Sequence, residues 1–463
     1  MMNTAFFGDL LHTIADRGRA LVGRGRDGAA PSSTADLTAL CDALLSGRGE
    51  ASGVALAREL LARTGALASA DKVSFLALLA ERYGPDRGRL EKAVRAYQAG
   101  AAQTDADAAL IELHAAAEPR RQELFRRLNL APGGTAALVR MREEAFRHRQ
   151  EIPGFAALDA DFAHLFSSWF NRGFLVLRRI DWATPANILQ KIIQYEAVHE
   201  IRGWDDLRRR LEPSDRRCFA FFHPQLVDDP LIFVEVALTS GIASSIGEVL
   251  SEQRETIAAD GATTAIFYSI SNCQEGLRGI SFGNLLIKQV VEELSRELPQ
   301  LRTFVTLSPV PGFAQWLARE RKAEGPAALS LEHRAALDIL DDPDWHAVPA
   351  RAAAVHDALR SAAAHYFLNA KLPNGKPVDP VARFHLGNGA RLERINVLAD
   401  LSPKGLRQAH GVMVNYLYDL KHIEENHEAF AEHGKVAAAA GVRRLLRAES
   451  RSPQPPAVGG TTP

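Results

Sequence analysis

Cysteine is scarce in this chain: three residues in 463, Cys41, Cys218 and Cys273, far apart. An odd, scattered set builds neither a disulfide framework nor a Cys-x-x-Cys metal site, and it fits a reducing compartment. Excess charge is lacking too. The 55 Lys+Arg against 56 Asp+Glu leave −1, so no field exists to hold a polyanion, and nucleic acid is not an expected partner. No apolar run reaches the ~18–20 residues of a membrane span. The first residues, Met1 to Asp9, lack a basic segment followed by a long apolar one, so no secretory signal is expected. Asp9, Asp16 and Asp27 lie among Arg17, Arg19, Arg24 and Arg26 and argue against an organellar transit peptide. The closing Gly-Gly-Thr-Thr-Pro is no peroxisomal address. The cytoplasm is the expected location. His422 and His427, five apart with Glu424 and Glu425 between them, have the wrong spacing for one metal-facing side of a helix.

What is present is a hydrophobic share of 46%, ordinary for a globular protein, and a length that implies two or three domains at roughly 150 residues each. The first ~165 residues read as helix after helix. Ala57, Leu60, Leu61 and Thr64 recur at helical spacing up to Gly65, a natural residue to follow a helix end. Residues 73–84 are apolar on more than one face, as in a helix buried among others. After Pro132-Gly133-Gly134, Thr135 is suited to cap a helix presenting Leu138, Met141 and Ala145. From about residue 170 short apolar, aromatic and β-branched runs take over: Phe174-Leu-Val-Leu, Cys218-Phe-Ala-Phe-Phe-His, Leu231-Ile-Phe-Val-Glu-Val-Ala-Leu and Thr264-Ala-Ile-Phe-Tyr-Ser-Ile-Ser. These predict strands of a mixed α/β domain, with helices at 185–197, 242–255 and 284–297. Residues 315–370 read as helices without strands, 390–399 as a final strand, and 404–446 as helix again. Residues 450–463, rich in Pro, Gly, Ser and Thr, read as a disordered tail.

Three stretches gather chemistry. In the first, Arg278-Gly279-Ile280-Ser281-Phe282-Gly283-Asn284 stands between an apolar strand and an amphipathic helix. That order aims free backbone N–H groups and a positive helix end at one point, an anion site, and glycine lets a phosphate approach the backbone. No Lys-Ser/Thr follows the second glycine, so it is not a Walker loop. It is closer to the pyrophosphate loop of GNAT-type acyltransferases, with Ser281 in place of one glycine; a plain turn is the other reading. In the second, Pro309 extends Ser308 and Pro311-Gly312 forces a turn, so Ser308 ends a strand on a stiff loop. It is not the Gly-x-Ser-x-Gly elbow of a hydrolase. In the third, His385 precedes the Asn388-Gly389 turn, where an imidazole with a pKa near 6.5 can exchange protons. By spacing alone, a loop-bonding serine and a structural histidine are the commoner readings.

Taken in order, these stretches resemble the malonyl-CoA decarboxylase family. The likeness spans about residues 170–420 and rests on Phe222-His-Pro through Val236-Ala-Leu-Thr, Ala265-Ile-Phe-Tyr-Ser-Ile-Ser, Glu275-Gly-Leu-Arg-Gly with Gly283, Leu307-Ser-Pro-Val-Pro-Gly-Phe, Phe384-His-Leu-Gly-Asn-Gly-Ala with Arg394-Ile-Asn, and Asn415-Tyr-Leu-Tyr. The resemblance implies an α+β chain: an all-helical N-terminal domain (1–168) for packing or oligomerisation, then a GNAT-like mixed α/β catalytic domain (169–449) with helical insertions. It implies conversion of malonyl-CoA to acetyl-CoA and CO2, with residues 278–284 at the CoA pyrophosphate and Ser308 with His385 as the catalytic pair. Ser269 and Tyr418 fall where polar pocket residues are found. Ser281 departs from the pattern, because relatives carry Glu there.

The reaction suits these parts. Loss of CO2 leaves an enolate, and the thioester carbonyl is itself the electron sink, so no biotin, pyridoxal or thiamine is expected. His385 is expected to deliver the proton to C2, and Ser308 to bond the departing carboxylate or act as the paired acceptor. Malonyl-CoA is the expected partner, with a homo-oligomer. A GNAT-type acyltransferase, a non-catalytic malonyl-CoA sensor and hydrolysis through an acyl-Ser308 intermediate are the competing readings.

Overall fold

The computed structural model describes residues 34–46, 49–100, 106–280, 286–323 and 329–449. The Arg-rich N-terminal stretch and the tail from 450 onward lie outside them. The chain divides into two compact units: Met1–Val176 with Phe222–Asp229 and Gln274–Phe282, and Leu177–Phe221 with Pro230–Cys273 and Gly283–Pro463. Among the described residues no helix is long and apolar enough to cross a membrane.

In the first unit the helical periodicity is realised as α1 (Thr34–Leu45), α2 (Glu50–Gly65), α3 (Ser69–Arg82), α4 (Arg87–Gly100), α5 (Ala106–Ala117), α6 (Arg120–Asn129), α7 (Gly134–Arg147) and α8 (Phe155–Trp169). Their apolar stripes meet in a core that includes Leu60, Phe75, Leu79, Leu124, Phe125, Leu138, Phe162 and Phe166. Two expected ends shift by a residue. Gly65 is the last residue of α2, and Ala66 closes the turn. Thr135 does not cap α7: Gly133 turns the chain at φ 74, a left-handed conformation that suits glycine, and the Thr135 hydroxyl donates to Asn129 Oδ1 at 2.7 Å instead. Buried polar groups are answered. Arg121 pairs with Asp161, whose other oxygen accepts from Gln122 at 2.6 Å. Arg142 donates to the carbonyls of Gly276 (2.9 Å) and Arg278 (3.0 Å) while pairing with Asp159. A Cβ at Gly276 would stand 2.0 Å from the Val139 carbonyl oxygen, so only glycine allows this loop to lie against α7.

The second unit is built on a sheet of β1 (Val176–Ile180), β2 (Arg216–Phe222), β3 (Pro230–Thr239), β4 (Thr264–Asn272), β5 (Thr303–Thr306), β6 (Ser308–Pro309), β7 (Arg391–Asn396) and β8 (Met413–Leu417). β1 to β5 lie side by side in that order, β8 follows β5, and both β6 and β7 pair with β8. Every residue of β2, and all but the last of β3, is buried, which is why those runs are almost continuously apolar. β4 and β5 pair in parallel and are joined by a helix, as parallel strands require. Around the sheet lie α9 (Ala186–Tyr195), α10 (Trp204–Leu211), α11 (Ile246–Leu250), α12 (Leu286–Glu297), α13 (Phe313–Lys322), α14 (Leu331–Leu337), α15 (Pro349–Leu368), α16 (Pro380–Gly387), α17 (Pro403–Ala409), α18 (Ile423–His433) and α19 (Ala440–Glu449). The helix expected over 242–255 is only α11, and the stretch 404–446, expected to be helical throughout, contains β8. Val412-Met-Val-Asn-Tyr-Leu is a β-run too short to declare itself between two helices.

Gly389 ends the connection from α16 to β7 at φ 81, and a Cβ there would stand 2.0 Å from the Ile423 carbonyl oxygen. Gly389→Ala is therefore expected to cost about 2 kcal/mol or more in urea unfolding, through a strained φ and a backbone clash. An unchanged midpoint would show that Ile423 moves aside freely.

Candidate active site

β5 and β6 share one register against β8: Val305 faces Leu417, Ser308 faces Val414 and Pro309 faces Met413. They form one extended run interrupted at Leu307. At the interruption the ladder is carried by side chains. Tyr418 N–H still donates to the Phe304 carbonyl at 2.9 Å. One pair further on, Tyr416 N–H donates to the Thr306 hydroxyl at 3.1 Å, and the freed Thr306 carbonyl accepts from Asn415 Nδ2 at 2.8 Å. Ser308 thus emerges from a strand held rigidly on both sides.

His385 comes from α16. Asp379 caps this helix, its Oδ1 accepting from Ala382 N–H at 2.7 Å, and Pro380 occupies the first turn. These start signals place the imidazole against β8, stacked on the Tyr416 ring at 4.6 Å between centroids and 23° between planes. His385 Nε2 lies 3.2 Å from Ser308 Oγ, across 77 positions of sequence, and Nδ1 lies 2.8 Å from the Tyr418 hydroxyl. Ser308 Oγ donates to Thr306 Oγ1 at 2.8 Å. All four side chains are buried.

Electrostatics follow from that burial. Desolvation pushes the His385 pKa down to about 3, so the resting ring is neutral, and burial raises Tyr418 well above its usual value, so its hydroxyl is protonated in the resting site. A neutral imidazole has one N–H. Where Ser308 spends its hydrogen on Thr306 it is an acceptor toward His385, and the tautomer that fits both ring contacts has its N–H on Nε2. Nδ1 is then bare and accepts from Tyr418 O–H.

Ser308 and His385 open onto a cavity of about 260 Å³, walled by Val198, Ile232, Val234, Phe267, Ile270, Leu286, Ile287, Leu307, Pro309, Val381 and Phe384. Among the described residues lining it, only Tyr268, Asn272, Ser308 and His385 carry polar side-chain atoms, and none carries a formal charge. Such a chamber accepts an acyl group and strips water from it.

The residues expected at the site distribute as follows. Ser308, His385 and Tyr418 come together. Ser269, on β4, instead bonds both oxygens of Glu196 (2.9 and 2.7 Å) and does not line the cavity. Glu196 also accepts from the backbone N–H groups of Val198 and His199, both at 2.7 Å, so Ser269 fastens the loop whose Val198 forms one wall. Arg278, Gly279 and Ile280 belong to the first unit, and residues 281–284 (Ser281, Phe282, Gly283, Asn284) lie outside the described residues. Gly279 has φ 79. β4 precedes this stretch and α12 follows it, and Leu286 at the start of α12 lines the cavity. Sequence reasoning missed Thr306, Tyr416 and Glu196. For Thr306 a signal existed: hydroxyls two apart on a strand share one face.

Two family models match the chain: "Malonyl-CoA decarboxylase N-terminal domain" over residues 83–170 and "Malonyl-CoA decarboxylase C-terminal domain" over residues 173–455. The mitochondrial malonyl-CoA decarboxylase of Anser anser anser is 37% identical over 397 residues, 78% of this chain and 77% of that protein. The mitochondrial enzyme of Rattus norvegicus is 33% identical over 406 residues, 82% of each. Among crystal structures, malonyl-CoA decarboxylase from Rhodopseudomonas palustris superposes with a TM-score of 0.85 at 60% identity, covering 89% of this chain and 100% of that one. The structure from Agrobacterium vitis gives 0.84 at 60% identity, covering 89% and 99%.

The depressed His385 pKa has a sign that can be checked. Between the unfolded value near 6.5 and the folded value of about 3, the unfolded chain binds a proton that the folded one refuses. The stability this residue contributes is complete above the unfolded value and is lost as pH falls toward the folded one. In a histidine-labelled NMR titration the His385 ring is expected not to titrate between about pH 5 and 8. A midpoint near 6.5 would show that water reaches it.

Proposed function

The chain belongs to the malonyl-CoA decarboxylase family, and from that premise we propose how its second unit converts malonyl-CoA to acetyl-CoA and CO2. The malonyl group enters the apolar cavity beside Ser308 and His385. There its carboxylate loses water and meets no cation among the described lining residues. A localised carboxylate is disfavoured in such surroundings, whereas the charge of the enolate spreads over the thioester, so the apolar wall favours breaking the C–C bond. Ser308 accepts from Nε2 and so holds the imidazole N–H at the cavity wall, beside the reacting carbon.

The enolate carbon then takes the Nε2 proton. As that proton leaves, the Tyr418 hydroxyl passes its own to Nδ1 across 2.8 Å, so the ring never carries a full charge. A solvent proton entering the emptied cavity returns to Nε2 while Nδ1 gives its own back to Tyr418, which matches the one proton consumed per turnover. The reading needs no organic cofactor, because the thioester carbonyl takes the electrons. The CoA diphosphate is assigned to the stretch from Arg278 to Asn284 on the family likeness and on the strand–turn–helix order. The observation that carries the reading is the buried 3.2 Å Ser308–His385 contact on the wall of an uncharged cavity.

A cytoplasmic location and a homo-oligomer belong to the same reading. Buried free thiols at Cys41, Cys218 and Cys273 suit a reducing compartment. On α5, Leu110 and Ile111 are 50% and 70% exposed, apolar surface of the kind a second copy covers.

Purified protein given malonyl-CoA without additives is expected to yield acetyl-CoA; free CoA in its place would indicate acyl transfer or hydrolysis. His385→Asn should lower kcat by about 10²–10⁴-fold with little change in KM. Unchanged turnover would remove His385 as proton donor. Replacing Leu110 and Ile111 together by Glu is expected to reduce the mass seen in sedimentation, and an unchanged mass would place any interface elsewhere.

A further inference from the structure

Thr306 is fully buried on β5 and faces no solvent, yet its hydroxyl receives two hydrogen bonds. One comes from the Tyr416 backbone N–H at 3.1 Å, a group that can only donate. The other comes from Ser308 Oγ at 2.8 Å. Ser308 has a single hydrogen. Committed to Thr306, it leaves only a lone pair for Nε2 at 3.2 Å, and a neutral ring must then carry its proton there. The bonds run in one direction: Tyr418 to His385, His385 to Ser308, Ser308 to Thr306.

We propose that Thr306 is a positioning residue whose hydroxyl turns the Ser308 hydrogen away from His385, holding the imidazole in the one tautomer that offers a proton to the substrate. This rests on the decarboxylation reading above and adds to it the question of why a serine beside a histidine does not act here as a nucleophile. A nucleophilic serine needs its hydrogen on the bond to a bare imidazole nitrogen. Thr306 removes that condition. Its β-branched side chain has few rotamers, so the acceptor is fixed in place.

Without the hydroxyl, the Ser308 hydrogen has Nε2 as its partner. The ring proton moves to Nδ1, where it is donated to Tyr418, and no proton faces the cavity. Ser308 Oγ can then add to the thioester carbonyl while its proton passes to Nε2. The C–S bond breaks, the CoA sulfur takes that proton, and water cleaves the malonyl–Ser308 ester to malonate. Overall, malonyl-CoA and water give malonate and CoA.

The test uses the full chain. Thr306→Val is expected to lower kcat for acetyl-CoA by about tenfold or more with KM within about twofold, and to raise the share of malonate and free CoA among the products. Thr306→Ser, which keeps the acceptor, is expected to recover most of the rate and the wild-type product ratio. Nitrogen NMR of histidine-labelled protein, with His385 assigned by difference from His385→Asn, should find hydrogen on Nε2 in the wild type and on Nδ1 in Thr306→Val. Hydrogen on Nδ1 in the wild type would overturn the proposal, as would Thr306→Val making acetyl-CoA at the wild-type rate. A merely structural role would lower all products together and leave the tautomer unchanged, which also overturns it. The NMR is read on free protein, so a wild type that failed to decarboxylate would defeat the functional reading while leaving the tautomer result intact.

Discussion

The second unit depends on the place where β5–β6 and β8 stop bonding as an ordinary ladder. A pair of strands parting in a buried sheet exposes an amide and a carbonyl to apolar surroundings, each costing on the order of 1–3 kcal/mol if left alone. Here both are answered by side chains. The Thr306 hydroxyl takes the amide of Tyr416, and the wholly buried Asn415 takes the Thr306 carbonyl. Asn415 Oδ1 is in turn held by Arg394 Nε at 3.1 Å and Asn396 Nδ2 at 2.8 Å from β7. The polar requirements of the parting strands are thus met within the sheet. The carbon walls beside it stay uncharged, and the apolar cavity can sit directly against Ser308.

That uncharged wall decides the state of His385. An exposed histidine near a carboxylate substrate would take up a proton and pair with it. Burial on all sides pushes this one to about 3, and its two nitrogens are satisfied by neutral hydroxyls, not by a carboxylate. A carboxylate partner would have pulled the pKa back up and made the ring an imidazolium. The choice of Tyr418 and Ser308 as neighbours is therefore part of keeping the site neutral.

Much of this was legible in the residues. β2, β3 and β4 announced themselves as apolar or β-branched runs, because strands buried on both faces cannot alternate with polar residues. The helix carrying His385 also had its signals, an Asp at the cap, Pro in the first turn and glycine beyond the end, although the Asn-Gly turn drew attention first. Ser308 and His385 were singled out by local stiffness and by proton chemistry, and through family likeness they could be paired. Their contact could not be read from spacing, since 77 positions separate them. β8 was not legible. Its five residues include Asn415, a poor strand former, which is held there by hydrogen bonds to β7, to β5 and to the Ala243 carbonyl. Thr306 was overlooked for a related reason: its role lies in which way a hydrogen points, which depends on the Tyr416 amide 110 positions away. Ser269 shows how strand alternation separates neighbours in sequence. Its sequence neighbourhood matched a pocket residue, but strand alternation turns it from the cavity toward Glu196.

On the proposed mechanism a neutral donor also orders the reaction in time. Imidazole in its uncharged form is a very weak acid, so it cannot protonate a carboxylate, whose conjugate acid has a pKa near 4. The only group in the sequence of events basic enough to take the Nε2 proton is the enolate carbon, which exists only after the C–C bond has broken. An imidazolium would behave otherwise: it would bind the intact carboxylate as an ion pair and, in low dielectric, stabilise the ground state more than the spread charge of the transition state. On the proposed mechanism, burying His385 thus withholds its proton from the substrate and releases it to the intermediate. Because binding the two forms equally would give no rate advantage, this discrimination is what the apolar cavity and the neutral Tyr418–His385–Ser308–Thr306 chain contribute together.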